Sequence, residues 1–314
     1  MKKNILTISA FIAMTSSFVY SQQEKLLTHF IFDKMTINPA STGLDPGMSA
    51  TSVYRNQWNG VNGAPNSVLL NLEANMNRFI PGGLGMSFYH DAIGKMRQNS
   101  LLFNYSYPLR VPGYGTVAFG VGLGMVNVGF DPLWIPPQTL VDDLLPTANG
   151  GTNLDVNLGV MWKGNQNYYV GVSATHVSEA DIKNVNYGNA RNLFVIAGYE
   201  YALTAGSPGR PGKRIDAQML MRTELVKTST ELNVRYKHDF DLFYGGLTYR
   251  VSDGLGAMVG FMPPQVKNLL VGYSYDMTLN KIREFSSGSH EILVKYVYML
   301  PPPPVQKSKH PRWL

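Results

Sequence analysis

Residues 117–125 read Val117-Ala118-Phe119-Gly120-Val121-Gly122-Leu123-Gly124-Met125. Every odd position is bulky and apolar, and every even position is Ala or Gly. A period of two places the odd side chains on one face of a β-strand and the even ones on the other. Outward from this stretch the same pattern recurs. Leu84, Met86 and Phe88 alternate with Gly85 and Ser87. Leu101, Phe103, Tyr105 and Tyr107 stand opposite Ser100, Asn104 and Ser106. Leu154, Val156, Leu158, Val160 and Trp162 alternate with Asp155, Asn157, Gly159 and Met161. The last runs are Leu269/Val271/Tyr273/Tyr275 and Ile292/Val294/Tyr296/Tyr298.

One face of each run is apolar and ends in an aromatic residue. The other carries Gly, Ser, Asn and charged residues. A transmembrane barrel requires this division: lipid outside, a polar lumen inside, aromatic girdles at the interfaces. The runs are about 9–13 residues long, enough to cross a bilayer at a tilt, whereas strands of soluble sandwiches are nearer 5–6. The pattern predicts an all-β, antiparallel barrel of fourteen strands at 48–58, 65–77, 83–91, 96–108, 115–129, 152–163, 167–177, 191–203, 213–223, 229–239, 241–251, 254–262, 267–277 and 288–299.

Composition agrees. Charged residues are 15% of the 314-residue chain, against roughly 25% in an ordinary soluble domain. Gly and Tyr fill the gap, with 31 and 18 copies. Zero cysteines exclude disulfide scaffolds, thiolate zinc sites and a lipoprotein anchor.

Lys2 and Lys3 precede a short apolar run at 5–19 that ends in Val19-Tyr20-Ser21, the arrangement of a Sec signal peptide covering residues 1–21. Residues 22–47 then form an N-terminal periplasmic or plug segment, 48–299 the barrel, and 300–314 a basic tail opening with four prolines. With both termini periplasmic, the long connections 130–151, 178–190 and 278–287 face outside, as outer-membrane barrels arrange them. The tail's basic end could meet an acidic partner or stand as a solvated terminus.

Motifs of catalysis are weak. The mature histidines are scattered without metal-ligand spacing, and Gly113-x-Gly115-x-x-Ala118 lacks the βαβ context of a dinucleotide site. The expectation is therefore no enzyme, no cofactor and no metal. The positive charges are dispersed and do not point to nucleic acid. Arg55 and Gln57 share one face of the first strand, with Trp58 on the other. Arg55 reads either as a lumen or rim contact to a plug or partner, or as the structural partner of a lumen carboxylate such as Glu73, Asp155 or Glu231. Trp58 reads as an interface anchor.

Several motifs together resemble the PorP/SprF family of the Bacteroidota type IX secretion and gliding machinery. They are Thr36-Ile37-Asn38-Pro39-Ala40; Tyr54-Arg55-Asn56-Gln57-Trp58-Asn59-Gly60 with Gly63-Ala64-Pro65; Gly83-Leu84-Gly85-Met86-Ser87 with Asp91-Ala92-Ile93-Gly94; Phe130-Asp131-Pro132; Ser289-His290-Glu291-Ile292; and the ending His310-Pro311-Arg312-Trp313-Leu314. The ending departs from the family's usual form by His for Asn and Trp for Phe. The resemblance implies an outer-membrane component that supports secretion or surface anchoring of cargo such as large adhesins. The cargo would engage through its C-terminal signal domain. Periplasmic ring lipoproteins or a peptidoglycan-binding subunit would engage the other side. The alternative is a passive porin or hydrophobic-solute channel. Candidate contacts are Trp134, Asp142 and Asp143 in the 130–151 loop. On the periplasmic side they are Asn38 and Pro39 within 26–40, and Lys307, Lys309, Arg312, Trp313 and Leu314 in the tail.

Overall fold

The computed structural model describes residues 27–130, 150–179, 181–182, 187–206, 212–224, 227–238, 242–251, 253–266 and 268–299. Its strands are β1 (Met48–Asn56), β2 (Asn66–Asn75), β3 (Gly83–Ile93), β4 (Met96–Val111), β5 (Gly115–Phe130), β6 (Gly150–Gly164), β7 (Tyr168–Thr175), β8 (Asp181–Ile182), β9 (Tyr187–Gly188), β10 (Asn192–Ala202), β11 (Arg214–Thr223), β12 (Thr228–Lys237), β13 (Phe243–Arg250), β14 (Gly254–Phe261), β15 (Leu269–Thr278) and β16 (Ser289–Tyr298). Fourteen of them form one closed antiparallel barrel in which sequence neighbours pair and β1 closes on β16. Every expected strand is present, with ends shifted by three residues at most. The two-residue strands β8 and β9 pair only with each other. They lie in the expected 178–190 connection and are too short to show a period.

Closure leaves no unpaired strand edge, the condition for backbone in a bilayer. Met48 pairs with Tyr298, so both ends of the barrel sequence lie at one rim, called here the terminal end. At the opposite rim, the loop end, lie the connections 57–65 and 279–288 and the ends of β5 at Phe130 and β7 at Thr175. No helix among the described residues is long and apolar enough to cross a membrane. Outward side chains are mainly apolar, including exposed Phe103, Leu123, Leu154, Val234, Leu247 and Val259.

The lumen departs from the all-polar interior expected. Its two ends are charged, but a middle layer is apolar: Val53, Leu69, Met161, Phe194, Ile196, Leu220, Met258 and Leu293 are buried there. The cause is the segment before β1. Leu27, Phe30, Ile31, Ile37 and Ala40 pack with that layer in one cluster, which draws wall residues from ten of the fourteen barrel strands. Each large apolar side chain taken fully from water contributes roughly 1.5–3 kcal/mol. The wall is apolar where the plug is apolar.

Candidate functional site

The interface between the plug, residues 27–47, and the barrel wall is where the informative chemistry gathers. Three sets of contacts hold it. Near the loop end, Glu291 on β16 accepts from the backbone N–H of Thr28 at 3.0 Å and of His29 at 2.7 Å. The Nδ1 of His29 lies 2.8 Å from the same carboxylate. Arg55 on β1 donates to Glu291 at 3.0 Å and to the Thr28 hydroxyl at 3.2 Å, and pairs with Asp276 at 2.7 Å. Thr28 Oγ1 donates to Asp276 at 2.7 Å. All five groups are buried. Two carboxylates share one guanidinium and the plug's own donors, so each charge loses water but gains charged partners. The ladder continues around the wall through Arg250, 2.9 Å from Glu231.

The middle set belongs to Asn38-Pro39-Ala40. Asn38 caps a short turn by accepting from the Ala40 N–H at 2.9 Å. Its amide then donates to the wall carbonyls of Val160 at 3.0 Å and Val172 at 3.3 Å. Ser173 Oγ donates to the Ile37 carbonyl at 2.7 Å, and Ser106 Oγ to the Ala40 carbonyl at 2.8 Å. Proline and this cap fix the turn, and a closely opposed wall receives it. A methyl at Gly120 would collide with Pro39 and Ala40, and one at Gly159 with Asn38. Glycine on the inner face of β5 and β6 is therefore the space the plug occupies.

The third set lies toward the terminal end. Glu73 accepts from the Gly43 N–H and from Ser49 Oγ, each at 3.0 Å. Asp33 accepts from Asn71 and from Thr36 Oγ1. Burial, reinforced by Glu73, pushes the Asp33 carboxyl above its ordinary range. Burial also lowers Lys34, whose ammonium sits 4.3 Å from the centre of the Tyr169 ring, although Asp45 opposes the shift. Lys34 and Lys163 hold the exposed Asp45 carboxyl down at about 2. The Lys163–Asp45 distance is 2.6 Å. Lys295 donates to the Phe32 carbonyl at 2.6 Å, and the Arg235 guanidinium lies 4.3 Å over the Phe32 ring.

These contacts relocate several expected residues. Asn38 and Pro39 were placed on a periplasmic contact surface, but both are buried in the lumen and their partner is the wall. Arg55 does meet the plug and a lumen carboxylate at once, but the carboxylates are Asp276 and Glu291 instead of Glu73, Asp155 or Glu231. Glu73 lies near the other end of the wall, where its β1 partner is Ser49; Arg55 faces Ser67 on that strand. Asp155 is taken by His176 at 3.0 Å, and Glu231 by Arg250. Gln57 and Trp58 are half-buried in the 57–65 connection. There the Gln57 N–H donates to the Pro65 carbonyl at 2.9 Å, and the Trp58 N–H to Ser289 Oγ at 3.1 Å. Trp58 has φ +51°, a conformation uncommon outside glycine, which ends β1 two residues earlier than expected. Trp134, Asp142, Asp143, Lys307, Lys309, Arg312, Trp313 and Leu314 lie outside the described residues, as does the signal peptide expected at 1–21. His29, Thr28 and Asp276 were not anticipated as site residues. Among the described residues no three His, Asp or Glu side chains converge as a metal site would require.

The family model for "Type IX secretion system membrane protein PorP/SprF" matches residues 19–296. The chain belongs to the PorP/SprF family. The family motifs at 36–40, 54–65 and 289–292 are thus the plug turn, the strand carrying Arg55 with its connection, and the strand carrying Glu291. No curated protein matches this PorP/SprF chain. Among solved structures, the CymD monoaromatic hydrocarbon channel is similar at 12% identity and TM-score 0.46, over 85% of this chain and 92% of that one. A Salmonella typhi OmpF–daunomycin complex is similar at 9% identity and TM-score 0.35, over 81% and 97%. A triple mutant of the Rhodopseudomonas blastica porin is similar at 9% identity and TM-score 0.32, over 81% and 99%.

Proposed function

We propose that this PorP/SprF barrel acts in the outer membrane by binding, without a reaction and without passage of solute through its own lumen. It supports secretion or surface anchoring of particular cargo, such as large adhesins used in gliding. The observation that carries this reading is the plug. Residues 27–44 occupy the lumen, and Thr28, Asn38, Ala40 and Thr42 have no exposed surface. A passive porin needs the continuous aqueous path that this segment fills.

Binding then falls to the two rims. The loop end presents the connections that suit a cargo's C-terminal signal domain. The terminal end, read as periplasmic, suits ring lipoproteins or a peptidoglycan-binding subunit. Buried contacts tie residues 28–43 to the wall at three levels, which favours anchoring over gating. Affinity purification of the tagged full-length chain from native outer membrane tests the reading. A co-purifying large surface protein or periplasmic ring component is expected. Recovery of the barrel alone under mild detergent overturns it.

A further inference from the structure

The wall is uneven at the terminal end. Gly83 of β3 pairs with Ser106 of β4, so residues 107–111 of β4 run on past β3. They pair with 115–119 of β5, which pair in turn with 160–164 of β6. At about 3.3 Å per residue, this stretch carries the three strands roughly 16 Å further than β3.

The plug covers only part of their inner face. Ser106 donates to the Ala40 carbonyl, and Ala118 and Met161 pack in the apolar cluster. Beyond them the inner positions carry Pro108, Arg110, Thr116 and Lys163. Arg110 pairs with Thr116, and Thr116 with Lys163, so the three form one row across three strands. Strands lie about 4.8 Å apart, so the two basic positions stand roughly 10 Å apart with a hydroxyl between them. A hollow of about 420 Å³ opens over this row, and its other walls include Asn77, Pro108 and the plug's Leu44. No acidic side chain lines it.

One cation of the row already holds a carboxylate. Asp45, which follows Leu44 in the plug, pairs with Lys163 at 2.6 Å. Arg110 is exposed, and neither its guanidinium nor the Thr116 hydroxyl has a partner among the described residues. A guanidinium and a neighbouring hydroxyl together offer a carboxylate several donors. The row faces the lumen mouth, whereas exposed Leu109 and Val111 take the outward face, so lipid headgroups lie on the other side of this wall. An inorganic phosphate would leave Leu44 and Pro108 bare. An acidic side chain covers them with its methylene stem.

We infer that the row is a carboxylate site for an acidic peptide segment of a protein partner at the terminal end. One carboxylate of that segment lies on Arg110 and Thr116, with its stem against Leu44 and Pro108. The inference rests on the reading of this end as a binding rim, and it gives the partner's chemistry there.

Fluorescence anisotropy of a rhodamine-labelled tetraglutamate peptide with the purified full-length barrel in neutral detergent tests it. Tetraglutamate binds and tetraglutamine does not. Arg110→Ala and Arg110→Gln each weaken binding roughly tenfold or more, the worth of a charge-assisted hydrogen bond. Arg78→Ala removes the same charge from the adjoining turn, outside the hollow, and leaves binding within about twofold, the scale of an exposed charge. Folding of each variant is read from the compact electrophoretic mobility of the unheated barrel, and either Arg110 variant suffices if the other misfolds. A folded wild type that binds neither peptide overturns the inference, while co-purification from native membrane still tests the function of the rims. Equal losses in the Arg78 and Arg110 variants overturn it as well, because they mean a diffuse basic rim. So does displacement of the peptide by inorganic phosphate but not by acetate, which assigns the row to phosphate.

Discussion

Arg55 and Glu291 are direct partners across the seam where the first barrel strand meets the last, and their side chains lie 3.0 Å apart. The plug is caught in the same contact, because Glu291 also accepts from the backbone of Thr28 and His29. Barrel closure and plug docking therefore share one ion pair. Neither partner is stabilised by water, so the pair is worth most as an intact unit.

Removing one member should expose that dependence. Arg55→Ala leaves Glu291 and Asp276 buried without the guanidinium they share, a loss of about 3–5 kcal/mol by analogy with broken buried pairs. The temperature at which the compact barrel converts to its unfolded mobility should fall markedly. Lys at 55 should restore only part of it, because an ammonium cannot serve two carboxylates with a planar fork.

The Asn38 amide offers a narrower test. Asn38→Asp keeps the cap to Ala40 but replaces the donor that serves Val160 and Val172 with a second acceptor. A buried charge then faces two carbonyls. Asn38→Asp should cost more stability than Asn38→Ala, which forfeits the cap and the two donated hydrogen bonds, about 1–3 kcal/mol. The ranking of the two unfolding temperatures decides the matter, and the reverse order contradicts the geometry.

Gly120 tests the close approach. Gly120→Ala puts a methyl against the Pro39–Ala40 backbone. Overpacking of this kind costs about 1–3 kcal/mol and should make the plug more accessible to protease in intact vesicles. Gly113→Ala, whose added methyl meets nothing but whose φ is +83°, controls for backbone strain without touching the plug.

Asp33 gives a pH signature. Its folded pKa is raised by burial, so ionisation disfavours the folded state. The penalty is absent below the unfolded value of 3.8, where both states are protonated, and grows as pH rises toward the folded value. Asp33→Asn should raise the unfolding temperature at pH 7 and change it little at pH 3. Equal gains at both pH values would mean that the carboxyl's charge is not the cause.

The barrel was legible because its period of two is enforced twice over, by lipid on one side and by the plug or water on the other. Leu123 and Gly124 could not trade places without reversing a face. The plug interface was legible only in part. Arg55 could be placed on the inner face from its spacing, but its partner depends on closure. Glu291 is 236 residues away and becomes adjacent only when β16 meets β1. Pairing along the chain brings β2 to the same strand, and its carboxylate, Glu73, falls near the wrong end. Asn38-Pro39-Ala40 carried a family motif but no periodic signal of burial, since a single capped turn has none. The apolar middle layer was equally hidden: Met161 and Phe194 share a face with Asp155 and Asn192, and the reason for both lies in the plug.

Single-channel conductance of the purified full-length protein in planar bilayers is the most direct measurement of the central claim. A lumen filled by residues 27–44 predicts no steady channel in the wild type, with conductance appearing when Arg55→Ala or Gly120→Ala loosens the plug. A large, steady conductance in the wild type, unchanged by those substitutions, would contradict it.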